Sequence, residues 1–524
     1  MSFIIRKIMR YSMYVFYIVV KPYSMYFCNK IPNKKLPPIK NELLRIPGVK
    51  LAEMIRNQNV KCEDVIKAYI NRCLEVNPVL NAIVEDRFDD ALEEAREIDR
   101  QIQSAFKTID DMKKETPLLG LPLTVKESIQ VQGLSNTAGR CYKKKQIAKE
   151  DAPIVKNARK HGAVILCVTN TPELCLCWET YNKNSGTTKN PYDVRRTPGG
   201  SSGGEAALIG AGASLFGLGS DVAGSIRLPA MFVGIYGHKP SPYVCCPYGH
   251  NPQSDDKRWP DYFTTGPLAR YAEDLPLLLN AVREQNGPSL QLFKEIDVKK
   301  IRFHFMTDDH SGMTRNISPC IRESLFKVAN HFNAREANIP LMIWGFDICM
   351  STMMPMPFDT IYTKTEEGQK PKTEAMEILR YVTGRSQSTL TSVLISTFQF
   401  VTKNIPKARK RKLEKIKEKL SEEMLKLLGD DGVLLYPTFP TSANNHFEIF
   451  HKLMDPSFLM VFNALGLPVT QVHTGFDKHK LPIGLQVVAS PGNDHITLAI
   501  ANEIQKIFGG WIPADEVEAK LSNN

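Results

Sequence analysis

A stretch rich in glycine and serine, residues 197–229, is where residue types and spacing most clearly suggest chemistry. Such a composition suits a flexible linker, a phosphate-binding loop, or a backbone scaffold around a nucleophilic serine. The stretch contains no GxxxxGK[ST] motif and no GxGxxG motif after a strand, which sets nucleotide binding aside. A linker is disfavoured because apolar side chains interrupt the stretch at 206–209 and 215–218. The favoured interpretation is therefore a serine nucleophile.

The motif GxSxG occurs twice in this stretch, centred on Ser201 and on Ser202. In α/β-hydrolases the motif forms a nucleophile elbow, which follows an apolar strand and serves a Ser-His-Asp triad. The residues in front of it here, KNPYDVRRTP at 189–198, are polar and end in proline. This context disfavours the elbow and leaves open which serine reacts.

From about residue 48 to the C-terminus, the chain resembles the amidase signature family. The resemblance rests on GLPLTVKES at 120–128, PGGSSGG at 198–204 and GSDVAGSIRLPA at 219–230, with support from GHKPS at 237–241, TTGPLAR at 264–270, FNALGLPV at 462–469 and LPIGLQVVA at 481–489. The family uses a Ser-Ser-Lys catalytic unit. Matched by motif, the resemblance implies that Lys126 is the base, Ser201 the proton bridge and Ser225 the nucleophile. Their separations of 75 and 24 positions agree with the family pattern.

The predicted roles place a strong demand on the lysine. A serine hydroxyl attacks an acyl carbon only when a neighbouring base accepts its proton, and a lysine accepts a proton only when neutral. The pKa of a lysine is ordinarily ~10.4, so it must fall by about two to three pH units. Each pH unit costs about 1.36 kcal/mol. Burial has this effect, and the apolar strand GLPLTV would carry Lys126 into the interior. Ser201 would pass the proton of Ser225 to Lys126 and return it to the departing amine.

The resemblance also implies an oxyanion hole, in which backbone N–H groups bind the developing negative charge on the substrate oxygen. The implied donors are Val222, Ala223, Gly224 and Ser225. The sequence departs from the family pattern at Ala223, where glycine is usual; alanine still supplies an N–H group, but a positive φ there would be costly. Three further residues are predicted to support this loop through hydrogen bonds and not to react: Ser202, Asp221 and Arg227.

Helical and strand-like patterns alternate in the elements that must position these residues. Apolar residues recur at helical spacing in 51–75, 87–102, 153–162 and 413–429. Short apolar runs typical of buried strands lie at 118–128, 162–170, 432–440 and 481–490. We predict an α/β protein with the amidase signature fold, a twisted mixed β-sheet core surrounded by many α-helices in a single large domain.

The N-terminal 40 residues form a segment apart from the catalytic domain, which we place at 41–524. Basic residues at 6, 7 and 10 precede an apolar run at 11–20, which extends to about 27 if Lys21 is tolerated near an interface. Ten apolar residues are fewer than the ~20 that span a bilayer. We predict a single N-terminal anchor, either a transmembrane or an interfacial helix, on an intracellular membrane protein. A mitochondrial transit peptide and a plain surface helix are the alternatives. Prolines and lysines at 31–40 predict a linker.

The composition of the chain limits the kinds of binding partner and cofactor that we expect. The net charge of +11 comes from two basic segments, since residues after 41 carry 59 basic against 56 acidic side chains and the block 407–419 alone carries eight basic side chains. We therefore expect no nucleic-acid partner. The eleven cysteines and eleven histidines show no CxxC or HExxH spacing, so we expect no disulfide scaffold, metal or cofactor. A homodimer is a candidate assembly.

Family membership does not fix the substrate. The stretches KES, NTPELCLCWET and GHKPSPYV and the N-terminal apolar segment resemble the branch that hydrolyses long-chain fatty acid amides. The resemblance implies cleavage of a lipid amide to fatty acid and amine through an acyl-enzyme intermediate. The apolar run at 390–401 could line an acyl channel, a membrane face or the core. Two alternatives are a glutaminase-type subunit of a tRNA-dependent amidotransferase and an inactive binding protein of the same fold.

Overall fold

An eleven-stranded mixed sheet lies at the centre of the protein. A computed structural model describes residues 3–104, 107–363 and 373–522. The strands are β1 (Ile83–Asp86), β2 (Pro122–Lys126), β3 (Val164–Thr169), β4 (Tyr181–Asn182), β5 (Gly186–Thr187), β6 (Phe216–Asp221), β7 (Tyr236–Lys239), β8 (Thr264–Ala269), β9 (Arg302–Phe305), β10 (Arg335–Glu336), β11 (Gly432–Pro437), β12 (Val469–Phe476) and β13 (Pro482–Val488). The order across the large sheet is β1-β3-β2-β6-β8-β7-β12-β13-β11-β9-β10, and β4 and β5 form a separate hairpin.

Helices surround this sheet. The α-helices are α1 (Phe3–Lys30), α2 (Gly48–Arg56), α3 (Cys62–Leu80), α4 (Phe88–Gln103), α5 (Ile109–Glu115), α6 (Pro153–Lys160), α7 (Gly203–Gly210), α8 (Arg227–Phe232), α9 (Trp259–Tyr262), α10 (Leu275–Val282), α11 (Pro319–His331), α12 (Gly345–Thr352), α13 (Glu374–Val382), α14 (Leu390–Lys403), α15 (Lys407–Leu428), α16 (Ser457–Ala464), α17 (Asp494–Phe508) and α18 (Val517–Ser522). Short 3-10 helices lie at Glu42–Arg45, Glu173–Cys175, Ala272–Asp274, Val298–Lys300, Pro340–Trp344 and Glu448–His451. The mixed α/β fold is as predicted.

The four predicted strands are confirmed as β2, β3, β11 and β13. Every residue of these strands is buried, as expected for apolar strands covered on both faces. β2 pairs in parallel with both β3 and β6, whereas β6 pairs antiparallel with β8. The sheet is therefore mixed around the strand that ends at Lys126.

One predicted helix is divided in two. The expected helix at 51–75 is interrupted at 57–61, so α2 ends at Arg56 and α3 begins at Cys62. Gln58 in this turn has φ +58°, which a continuous helix does not accommodate. The predicted linker at 31–40 is irregular, and the first element after it begins at Glu42.

Helix α1 packs against the loop around the 3-10 helix Glu448–His451. Tyr17 lies 4.0 Å from His451 between ring centroids, and Phe27 lies 4.7 Å from Phe447. The buried Arg6 donates to Asp347 at 2.9 Å and to the carbonyl of Ile343. The opposite face of α1 exposes apolar side chains. A search of residues 3–104, 107–363 and 373–522 finds no helix whose length and apolar content suit a membrane span, so the transmembrane part of the N-terminal prediction is without support.

Candidate active site

Lys126 lies at the carboxyl end of β2, completely buried. Its Nζ lies 2.7 Å from Ser201 Oγ and 2.8 Å from Ser220 Oγ. Ser201 precedes α7, and Ser220 is the penultimate residue of β6, the strand beside β2. The fold therefore brings the predicted base and the predicted bridge into direct contact across 75 residues of chain.

Ser225 lies in the turn between β6 and α8, on the wall of the same cavity as Ser201. The backbone carbonyl of Ser225 accepts a hydrogen bond from the N–H of Ser202 at 3.2 Å, which ties the two serine turns together. The cavity gives both predicted catalytic serines access to a substrate.

A buried ion pair shapes the turn that was predicted to form the oxyanion hole. Asp221 accepts from the N–H groups of Gly224 at 2.8 Å and Ile226 at 3.1 Å, and from the guanidinium of Arg227. Although burial raises the pKa of the Asp221 carboxyl, Arg227 and the two N–H groups hold it well below its usual range. The ion pair of Asp221 with Arg227 and the two N–H bonds therefore fix this turn.

Residues on neighbouring elements hold Arg227 in place. Its guanidinium also donates to the carbonyl of Leu459 at 3.0 Å, to Gln486 at 2.7 Å and to Asn463 at 2.5 Å. Such complete pairing is what a fully buried charge requires. The predicted oxyanion turn is thus attached to α16 and β13 as well as to β6.

The positive φ within this turn falls on Gly224, at +95°, and Ala223 is not among the described residues with positive φ. A Cβ on Gly224 would lie 2.4 Å from Leu459 Cδ1, so glycine is required there by space as well as by backbone conformation. The carbonyl of Ala223 accepts from Trp178 Nε1 at 2.8 Å. The backbone strain expected for an alanine at 223 is therefore absent from this turn.

Ser202 contacts the neighbouring loop through its backbone and not through its hydroxyl. Its Oγ is buried and has no hydrogen-bond partner among the described residues. Its backbone N–H makes the contact to Ser225 instead.

The electrostatics around Lys126 favour a neutral amine. Burial lowers the pKa of Lys126 below its ordinary value, while Cys175, Asp221 and Glu205 oppose the shift. Glu205 lies behind the lysine and accepts from Thr124 and Thr169 at 2.6 Å each, and burial raises its pKa to about 8. Because Glu205 is then largely protonated near neutral pH, it contributes little negative charge to stabilise the ammonium form of the lysine.

Cys175 and Lys126 form a coupled pair. Cys175 Sγ lies on the cavity wall, 3.4 Å from Thr171 Oγ1 and 4.0 Å from His250 Nε2. Burial raises the pKa of this thiol, but the charge of Lys126 and the ring of His250 lower it below its usual value. A thiolate at Cys175 and an ammonium at Lys126 stabilise each other, so the thiolate raises the pKa of the lysine.

Sequence reasoning missed three polar residues of this site: Cys175, Ser220 and His250. Ser220 Oγ lies 2.9 Å from His250 Nε2, and Ser128 Oγ lies 2.9 Å from the same nitrogen. Ser220 directly precedes Asp221 at a strand end, and this position in the sequence could have indicated a residue of the site. No local pattern marks His250, which lies in an irregular segment.

A mostly apolar cavity of about 370 Å³ is lined in part by Ser201, Ser220 and Ser225. Its walls come from several elements and include Trp178, Phe346, Met350, Met353, Phe358, Leu394, Ile395, Phe398, Leu453 and Met454. The predicted apolar run at 390–401 forms part of α14 and lines this cavity through Leu394, Ile395 and Phe398. The described residues contain no group of three or more His, Cys, Asp or Glu side chains that could hold a metal ion.

The buried lysine, the two serine turns and the mixed sheet together define an amidase signature enzyme. The Amidase family profile matches residues 64–498, and the chain belongs to this family. Fatty-acid amide hydrolase 2-A of Danio rerio is 38% identical over 492 residues, which cover 91% of each chain. A glutamyl-tRNA(Gln) amidotransferase subunit from Carboxydothermus hydrogenoformans is 27% identical over 492 residues, covering 89% of this chain and 98% of that protein.

Among solved structures, one of a fatty acid amide hydrolase has a TM-score of 0.71 at 20% identity and covers 91% of this chain and 87% of that chain. This likeness supports the fold. Family membership and the relatives together make the chain an amide hydrolase similar to fatty-acid amide hydrolase 2.

Proposed function

We propose that this amidase hydrolyses long-chain fatty acid amides, with Ser225 as nucleophile, Ser201 as proton bridge and Lys126 as base. The observation that carries the mechanism is the buried Lys126 within 2.7 Å of Ser201, on the cavity that Ser225 also lines. A desolvated, neutral lysine can accept the proton that Ser225 loses as it attacks the substrate carbonyl. In this proposal Ser201, in contact with Lys126, relays that proton and later returns it to the leaving amine.

The cavity supports a lipid acyl group. Its walls are mostly aromatic, leucine and methionine side chains, which suit an alkyl chain, and the described lining contains no Asp, Glu, Lys or Arg to bind the amino acid moiety of glutamine. The flexible methionines also suit a chain that adopts several conformations. The name of the relative from Danio rerio agrees with this substrate class.

We also infer that the protein rests on a lipid surface beside the cavity. Outward-facing apolar residues lie on α1, α13 and α14, among them Tyr11, Val19, Tyr26, Leu379, Val382, Leu394 and Phe398. Contacts from Tyr23 to Phe447 at 5.5 Å, from Phe447 to Tyr181 at 5.2 Å and from Tyr181 to Thr391 at 3.2 Å link α1 to α14. Because α14 also lines the cavity, a lipid substrate would enter from the surface on which it is dissolved.

The test compares hydrolysis of oleamide with hydrolysis of glutamine and asks which serine reacts. We expect oleamide turnover, no detectable glutamine turnover, and labelling of Ser225 alone by a fluorophosphonate probe. Ser225→Ala should abolish labelling and turnover, whereas the exposed Ser289→Ala should change neither. Preference for glutamine would overturn the substrate class, and labelling that survives Ser225→Ala would overturn the nucleophile.

A further inference from the structure

His250 is joined to the proposed base by a continuous chain of hydrogen-bonding atoms. His250 Nε2 lies 2.9 Å from Ser220 Oγ, and Ser220 Oγ lies 2.8 Å from Lys126 Nζ. The ring is buried and lies 4.8 Å from the ring of Phe263 between centroids. His250 is therefore held in one orientation and is joined to the lysine through Ser220.

The other ring nitrogen defines the tautomer. His250 Nδ1 lies 2.7 Å from the backbone carbonyl oxygen of Pro252. A carbonyl oxygen can only accept, so Nδ1 must carry a hydrogen. In the neutral ring, Nε2 is then the bare nitrogen and accepts from the hydroxyls around it.

This tautomer sets the direction of each bond up to the lysine. Ser128 Oγ also lies 2.9 Å from Nε2 but can give its hydrogen to the neighbouring Cys175 Sγ, which leaves the Nε2 lone pair for the hydroxyl hydrogen of Ser220. The Ser220 oxygen then accepts from Lys126 Nζ. A neutral lysine amine has two hydrogens and one lone pair. With one hydrogen donated to Ser220, and with Ser220 unable to donate back, the lone pair is left for the hydroxyl hydrogen of Ser201, 2.7 Å away.

We propose that His250 is a positioning residue that directs the lone pair of Lys126 toward Ser201 by keeping the hydroxyl hydrogen of Ser220 turned away from the lysine. This inference rests on the proposed function, because it assigns a reason for the orientation of the base in that mechanism. The titratable groups that face His250 and Lys126 from neighbouring elements are Cys175, Glu127, Glu205 and Asp221.

Replacing His250 by phenylalanine keeps the aromatic packing and removes the acceptor. The Ser220 hydrogen is then free to turn to the lone pair of Lys126 and compete with Ser201. We expect kcat for oleamide to fall about 10- to 100-fold with KM within about threefold, and the rate of probe labelling at Ser225 to fall in parallel. Because the single lone pair of Lys126 accepts one hydroxyl hydrogen in either enzyme, the acid limb of the kcat/KM profile should stay in place while kcat falls.

Three variants separate positioning from structural damage. His250→Gln, whose side-chain oxygen can accept near the position of Nε2, should recover most of the lost kcat. In a Ser220→Ala background, where no hydroxyl remains to be misdirected, His250→Phe should cost less than about threefold. His473→Phe replaces another buried histidine that lies against an aromatic ring, 5.0 Å from Phe476, and should leave kcat and the pH profile unchanged.

The tautomer can be measured without activity. In enzyme labelled with ¹⁵N-histidine, the signals that His250→Phe removes should belong to a ring with hydrogen on Nδ1 and a bare Nε2. A neutral ring with hydrogen on Nε2 would overturn the proposal. It would also be overturned if His250→Phe left kcat unchanged, or cost as much with Ser220→Ala as without it. By contrast, a wild-type enzyme that neither labels at Ser225 nor cleaves amides would refute the proposed function itself.

Discussion

Lys126 is completely buried, and its amine contacts two serine hydroxyls. Both features suit the role of base that we propose for it. Because burial lowers its pKa, the neutral form becomes available at lower pH than for an exposed lysine. A base acts in its deprotonated form, so kcat/KM should rise as the pH increases through the pKa of Lys126.

Removing the amine of Lys126 should remove this rise of kcat/KM with pH. We expect Lys126→Met to lower kcat for oleamide by about 1,000-fold or more and to flatten the acid side of the pH profile. The matched control is Lys239→Met, which removes another fully buried lysine whose pKa burial lowers to about 7. Stopped assays from pH 5 to 10, with thermal melting as the check on folding, measure both. A limb that persists in Lys126→Met would assign it to a different group.

Cys175 should also affect the pH at which the acid limb of the kcat/KM profile lies. A thiolate at Cys175 stabilises the lysine ammonium and so raises the pKa of Lys126. Cys175→Ser keeps a small hydroxyl but removes the ionisable thiol, so the pKa of Lys126 should fall further. The acid limb should therefore move to lower pH, with the plateau rate retained within about threefold.

Cys177→Ser is the control for this change, since Cys177 lines the same cavity and burial raises its pKa. Its pH profile should match that of the wild type. A Cys175→Ser profile that does not move, or that moves to higher pH, would contradict the coupling between thiol and lysine.

At the residue scale, the resemblance of the motifs to the amidase signature family predicted Lys126 and Ser201 in one site, and Lys126 Nζ lies 2.7 Å from Ser201 Oγ. It could not predict His250 or Cys175. Cys175 lies in a short 3-10 helix and His250 in an irregular segment, and only the packing of the whole chain, such as the contact of His250 with Phe263, determines where they lie.

The turn between β6 and α8 is the element on which the proposed oxyanion hole depends. Gly224 carries its positive φ, and the space for a Cβ is occupied by Leu459. We expect Gly224→Ala to displace the backbone N–H groups and lower kcat about 100-fold, with a loss of about 1–3 kcal/mol in the free energy of unfolding.

Ala223→Gly is the paired control in the same turn. Because Ala223 lacks a positive φ, glycine gains nothing there, and kcat should stay within about threefold of the wild type. Oleamide kinetics and urea unfolding distinguish the two variants. If Ala223→Gly were the more damaging change, the assignment of the turn's conformation to Gly224 would be wrong.

Continuous apolar runs predicted strands well, because a strand buried on both faces needs apolar residues at every position. The same reasoning failed for β6, whose sequence FGLGSD contains two glycines where Glu205 and Ser202 pack against the strand. The break between α2 and α3 was also missed, since apolar spacing alone does not reveal a left-handed residue such as Gln58.

The whole molecule presents the apolar residues of α1 and α13 to the outside, and these should govern binding to lipid. We expect the double variant Val19→Asp, Val382→Asp to reduce the fraction bound to phospholipid vesicles about tenfold or more, since both side chains are at least 70% exposed and would lose apolar contact with the lipid. Phe293→Asp, 65% exposed on a different segment, is the control and should bind as the wild type does.

Vesicle flotation measures this binding, and hydrolysis of a short water-soluble amide checks that the site is intact. Equal flotation of the double variant and the wild type would contradict the proposed lipid surface. The order of strands in the sheet and the packing of α1 on the body were not predictable, because they depend on contacts between residues far apart in sequence, such as those of β7 with β12 and of Arg6 with Asp347.

The contact of Arg6 with Asp347 connects the first turns of the chain to α12, whose residues Phe346 and Met350 line the cavity. If Arg6 were lost, Asp347 would keep its contact with Arg409 at 3.1 Å. The space behind α12 that the buried Arg6 guanidinium fills, over the ring of Trp344, would be left as a gap. Trimming the N-terminal segment to improve solubility, a common step in enzyme purification, would therefore disturb α12 and the cavity that it helps to line, as well as the proposed lipid surface. Substrate preferences measured on such a shortened enzyme would describe a different pocket from that of the full chain.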